Sequence, residues 1–194
     1  MTAMANDMKT VPPLSLTVQD ADPVAFAQQF GRSFERFGFA IIADHGIDAA
    51  LIERSWAATK ALFAQPTEND LKEFWHVGRD LPPGHRYSGS MPPNIWPDHP
   101  PQFKALLTQL YAEFDRVGAR LLSAIARYLG LNPDWFVEPV RDGNSVLRLL
   151  HYPPISPEAS GMRAGAHEDI NLITLLLGAE EAGLQLQDRD GLWL

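Results

Sequence analysis

The sequence predicts an α+β chain, a mainly helical α/β region over residues 1–140 and strands over 141–194, and the change of hydrophobic period along it points to this. Apolar side chains recur at three and four from Phe26 to Phe37 and again from Phe103 to Leu129, the spacing of helices that bury one face. Ser145 to Tyr152 reads as a strand, and Leu172 to Leu177 is almost continuously apolar, which suits a strand buried on both faces. Helices gathered before strands separate the two kinds of element along the chain, as in α+β folds.

Composition narrows the function before any motif is read. With 194 residues the chain can bury one good core, or one domain with an appended helical part. A formal charge of −8 argues against a nucleic-acid surface, which needs clustered Lys and Arg, and leaves a small molecule as the easier partner. There are no cysteines, so disulfides, thiolate metal sites and thiol nucleophiles are excluded. No segment approaches the roughly 18 apolar residues of a membrane span, and MTAMANDMKTVPP lacks the layout of a secretory signal. A cytoplasmic protein with no membrane partner is expected; nothing in the sequence sets its oligomeric state.

Val11 to Leu16 reads as a short opening strand. Asp22 before Pro23 is a helix cap followed by a first-turn proline, and Phe26, Phe30, Ser33, Phe34 and Phe37 then form one stripe. Gly38 stops that helix. Phe39 to Ile42 is a buried strand leading to Asp44-His45-Gly46, and Asp48 caps a second helix, Ala49 to Ala64, with Leu51, Ile52, Trp56 and Phe63 inward. Thr67 and Asp70 suggest a further capped turn. Residues 73–101 are crowded with Gly and Pro and read as a long irregular segment, of the kind that often carries function. Within it Arg79, His85, Arg86 and Tyr87 can meet a substrate. The longest helix runs from Pro101 to Leu129 and ends at Gly130. One more turn, Asn132 to Phe136, precedes the strand Ser145 to Tyr152.

The chemistry concentrates at His167-Glu168-Asp169. On extended backbone, side chains two apart project to one face, so the His167 imidazole and the Asp169 carboxylate can reach one point while Glu168 faces away. Histidine plus carboxylate is two thirds of the facial triad that ferrous oxygenases use. On the strand before it, Arg148, Leu150 and Tyr152 share a face and His151 points the other way, so His151 is a poor third ligand. His76, His85 and His99 are poorer still.

FGFAIIADHGI, SVLRLLHYPP, HEDINLITLLL and GLQLQDRDGLWL, in that order, resemble the isopenicillin N synthase-like family of Fe(II)- and 2-oxoglutarate-dependent dioxygenases. The resemblance rests on Arg148, Tyr152 and Pro153, on His167 and Asp169, and on Gly183-Leu184-Gln185-Leu186 and Trp193. It implies a double-stranded β-helix, a jelly roll, incomplete here, with a helical N-terminal region (1–140) and a long supporting helix; 141–194 would be the first part of the jelly roll. It implies Fe(II) held by His167 and Asp169, 2-oxoglutarate reached by Tyr152, O2 as oxidant, and a small-molecule substrate met by Arg79, Arg86 and Tyr87 near Asn94-Ile95-Trp96-Pro97. His45 takes a structural role. Leu150 departs from the asparagine that plant members often carry there.

In that family the second iron histidine and an arginine for 2-oxoglutarate lie several dozen residues beyond Leu194, so the chain reads as a fragment, inactive alone. Three other functions remain open at this point: an oxidase of the same family that dispenses with 2-oxoglutarate, a non-catalytic binding module, and, least supported, a hydrolytic zinc site.

Overall fold

The computed structural model describes residues 10–65, 72–154, 164–178 and 184–194, which form two compact units. The elements in chain order are β1 (Pro13–Ser15), α1 (Thr17–Ala21), α2 (Pro23–Phe37), β2 (Ile41–Ala43), α3 (Ala49–Phe63), β3 (Glu73–Gly78), α4 (Phe103–Tyr128), α5 (Val137–Arg141) and β4 (Val146–His151). Among the described residues the strands make two separate two-stranded sheets, β1 with β2 and β3 with β4.

The first unit draws on residues 1–46, 116–138 and 175–194. β1 and β2 pair in parallel with Leu14 opposite Ile42. α2 begins as its sequence requires: the Asp22 carboxylate accepts from the Ala25 N–H at 2.9 Å, and Pro23 occupies the first turn, where no N–H partner is lost. It ends on Gly38, whose φ of 69° closes the last turn through its N–H to the Phe34 carbonyl. The aromatic stripe is buried at Phe26, Phe30 and Phe37, with Phe26 and Phe30 stacked at 5.7 Å, while Phe34 meets Phe30 edge-on at the rim. The second half of α4 packs Val117, Leu121, Leu122, Ala124 and Ala126 into this unit. Arg120 ties it to the chain start, donating to the Leu16 carbonyl at 3.1 Å and to Asp20 at 2.7 Å.

Helix α2 and the end of α4 approach so closely at Gly31 that a methyl group there would lie 2.2 Å from Cγ of Tyr128. A Gly31→Ala substitution must therefore displace the Tyr128 ring at its root. Overpacking of this kind costs about 1–3 kcal/mol, more than offsetting the gain of about 1 kcal/mol in helix propensity. The expected result is a lower urea midpoint, recovered in a Gly31→Ala/Tyr128→Ala double variant.

Also in this unit, Leu186 and Leu194 exchange backbone hydrogen bonds of 3.1 and 2.8 Å, closing a hairpin. Its turn is built by Asp188, whose Oδ1 accepts from the Asp190 and Leu192 N–H groups, and by Gly191, which takes φ 80°.

The second unit draws on residues 47–115 and 139–174. Asp48 caps α3 through the Ala50 N–H at 3.0 Å, and Leu51 is fully buried. Ile52, Trp56 and Phe63 are half-buried rather than central. Phe103, Leu106, Leu107 and Leu110 of α4 form the core here, and Trp75 and Trp96 meet Phe103 edge-on at 6.1 and 6.3 Å.

Two expectations are corrected. Residues 73–101 are not irregular throughout, because Glu73 to Gly78 form β3, antiparallel to β4 with Glu73 opposite His151 and Gly78 opposite Val146. Leu172 to Leu177 form no strand: Leu172 and Leu176 are exposed and Ile170 is fully so, at 103%. A strand needs a neighbour for its N–H and C=O groups, and among the described residues this segment has no ladder partner. The turn expected at Thr67 and Asp70, and Gly183, lie outside the described residues.

Candidate functional site

The second unit holds both chemical features that the sequence singles out. His167 Nε2 and Asp169 Oδ1 lie 3.6 Å apart. Cis ligands on a first-row divalent ion, each roughly 2.1 Å from the metal, sit about 3 Å apart, so the pair needs to close only slightly. Each ligand is held from behind. His167 Nδ1 lies 2.8 Å from the Gly165 carbonyl, a contact that only an N–H can make, so the neutral ring carries its lone pair on Nε2, on the side of Asp169. The Thr174 hydroxyl donates to Asp169 Oδ2, and Asn171 Nδ2 donates to that hydroxyl at 3.0 Å. Oδ1 is left on the side of His167. A neutral imidazole and an oriented carboxylate are the donors a ferrous ion takes, and both side chains are accessible, at 69% and 47% exposure. Among the described residues no group of three His, Asp or Glu converges, so this pair could supply at most two ligands to a metal there. Thr174 and Asn171 were missed from sequence; a lone hydroxyl inside the apolar run Leu172–Leu177 was the available signal.

Tyr152, half exposed, follows β4 directly, and the Lys72 ammonium stands 5.6 Å from its ring centroid. His151 faces the other way, as the alternation demands. Its Nδ1 lies 2.6 Å from Glu73, and its ring stacks on Phe63 at 5.3 Å.

The four residues expected to meet substrate divide into two groups, with His85 beside Arg86 and Tyr87, its Nε2 3.3 Å from Asp142. Arg79 is engaged throughout: Nε donates to the Gly143 carbonyl at 2.9 Å, Nη1 pairs with Asp115 at 2.8 Å and Nη2 at 3.1 Å, and the guanidinium lies over Tyr111. Burial raises the Tyr111 pKa above its ordinary value, with Arg79 opposing that rise. Arg86 and Tyr87 instead lie exposed, with the guanidinium 4.7 Å from the ring and 3.1 Å from Asp142. The Asn94 side chain is engaged as well. Its amide pairs with both the N–H and C=O of Gly78, at 2.7 and 3.0 Å, and so continues the ladder past the end of β3. The fork that holds Arg79 is a structural contact of about 1–3 kcal/mol; Asp115→Ala is expected to lower the urea midpoint accordingly, and an unchanged midpoint would show the fork to be idle.

Among the described residues no helix is long and apolar enough to cross a membrane. Residues 11–69 match the family described as the non-haem dioxygenase in morphine synthesis N-terminal region. A proline hydroxylase of Petromyces alliaceus is 30% identical over 204 residues, which cover 85% of this chain and 62% of that protein. The chain spans from 39% to 62% of the length of three curated relatives that it matches. A full-length Neurospora crassa protein, solved in complex with alpha-KG, superposes with a TM-score of 0.82 at 24% identity, over 95% of this chain and 66% of that one, a likeness of fold. A 2OG-Fe(II) oxygenase family protein from Caulobacter crescentus is 47% identical with a TM-score of 0.86, over 95% of this chain and 70% of that one. At that identity and coverage, the chain belongs to the Fe(II)/2-oxoglutarate-dependent oxygenase family.

Proposed function

We propose that the protein is an Fe(II)- and 2-oxoglutarate-dependent oxygenase that oxidises a small molecule with O2. The observation that carries this reading is the 3.6 Å approach of His167 Nε2 to Asp169 Oδ1, with the far side of each ligand already hydrogen-bonded. Iron and 2-oxoglutarate, when bound, supply the oxidising chemistry; the chain supplies the geometry. The Gly165 carbonyl fixes the imidazole tautomer, and Thr174 turns the carboxylate so that one oxygen is free. Tyr152 would give its hydroxyl to the co-substrate carboxylate, and the exposed Arg86 and Tyr87 would touch substrate. Arg79 would serve by holding the segment on which they sit. A relative named as a proline hydroxylase supports a substrate of small size.

On this reading 1–140 is the N-terminal region, in keeping with the family match over 11–69, and 141–194 opens the catalytic jelly roll, with β4 as one of its strands. The test is anaerobic titration of the full-length natural protein with Fe(II), with and without 2-oxoglutarate. A weak visible charge-transfer band that needs both, and that is lost in His167→Ala, is the expected result. Iron binding without the band would favour an oxidase that does not use 2-oxoglutarate. No iron binding would overturn the reading.

A further inference from the structure

The β3–β4 ribbon has two unlike faces. Trp75, Val77, Leu147 and Leu149 turn inward, whereas Phe74, His76, Val146, Arg148 and Leu150 are exposed, Phe74 by 57%. On the exposed face His76 stands directly opposite Arg148 in the antiparallel register, and Arg148 Nε donates to His76 Nε2 at 2.7 Å. The same guanidinium lies 5.7 Å from the Phe74 ring centroid, and the Phe74 and His76 rings are 4.9 Å apart. No carboxylate among the described residues pairs with Arg148. Its Nε–H is spent on an uncharged ring while the terminal N–H groups stay available in a fixed plane. An arginine held by a neutral acceptor rather than neutralised by an acid keeps its full charge for a ligand.

We propose that this face recognises the substrate, and that the substrate is a small carboxylate carrying an apolar or aromatic group. Arg148 takes the carboxylate in a two-pronged contact, Phe74 and Leu150 cover the apolar part, and His76 is a positioning residue that sets the guanidinium plane. The charge complementarity selects the carboxylate, and the exposed Phe74, Val146 and Leu150 select its apolar neighbour. The substrate role rests on the oxygenase reading; the binding site itself does not. The depressed pKa of His76, caused first by desolvation and then by Arg148, agrees with a neutral ring that accepts the Arg148 N–H.

The test is an NMR shift titration of the full-length protein, with 2-oxoglutarate at saturation, using 3-phenylpropionate and its amide as probes. The wild type is expected to bind the acid at least about tenfold more tightly than the amide, as a charged hydrogen bond requires. Arg148→Met should erase that difference and leave the charge-transfer band intact. His76→Phe, which removes the acceptor, should weaken the acid by about three- to tenfold, and His76→Gln, which restores an acceptor, should recover most of it. Equal binding of acid and amide by the wild type, or a preference that survives Arg148→Met, overturns the site. Loss of the band in Arg148→Met also overturns it, since the arginine would then hold the co-substrate. An undiminished His76→Phe overturns the positioning role. A wild type that binds iron without any band refutes 2-oxoglutarate use while leaving the probe result to be judged separately.

Discussion

Asp169→Ala is expected to lower Fe(II) affinity by more than about a hundredfold while leaving the protein folded. Contacts that merely orient a metal ligand already cost roughly 10–100-fold when removed, and here a ligand itself is lost from a pair. Asp169 is half exposed and its described bonds are to Thr174 and the His167 side, so its removal leaves no buried group stranded. Thr174→Val separates ligand from support: it keeps the shape, removes the hydroxyl that turns the carboxylate, and should cost about 10–100-fold. Thr174→Ser should restore most of that. Binding is read by anaerobic titration and folding by the urea midpoint. An Asp169→Ala protein that holds iron as tightly as wild type would dismiss the site.

The largest loss of stability is expected at Phe103. Its side chain is fully buried, at 0% exposure, with Trp75 of β3 and Trp96 of the following segment both edge-on to it. Removing the ring leaves a cavity and two aromatic partners without their edge contacts; large-to-small changes of this kind cost about 3–5 kcal/mol. Against a total of about 5–15 kcal/mol for a domain, Phe103→Ala should lower the urea midpoint sharply at an unchanged slope. Phe103→Leu, which keeps most of the volume, should cost only about 1 kcal/mol. A loss below about 1 kcal/mol in Phe103→Ala would mean that the two tryptophans collapse into the space.

The helices were legible because their signals are local. Asp22 and Gly38 mark the boundaries of α2 through contacts within four residues, Pro23 marks its start by its fixed φ, and the apolar period of α4 needs no distant partner to be read. Strands depend on neighbours far away in sequence. β3 was hidden because Glu73 to Gly78 alternates only weakly and its partner lies on β4, while the largely apolar run Leu172–Leu177 has no ladder among the described residues. The approach of His167 to Asp169 was legible from a spacing of two. The roles of Arg79 and Arg148 were not, since nothing in the sequence says that one arginine meets Asp115 and the other His76.

The β3–β4 ribbon also sets an order of events in folding. His151 and Glu73 are 78 residues apart in the chain, and the ribbon joins its strands without a hairpin. Closing so long a loop costs entropy before the ladder returns any of it, and such non-local pairings slow folding. α3 and α4 close their hydrogen bonds locally, on far shorter timescales. The physical expectation is a polypeptide whose helices form early and whose arginine-bearing face is assembled last, so that Arg148 acquires its orientation only when the chain is otherwise in place.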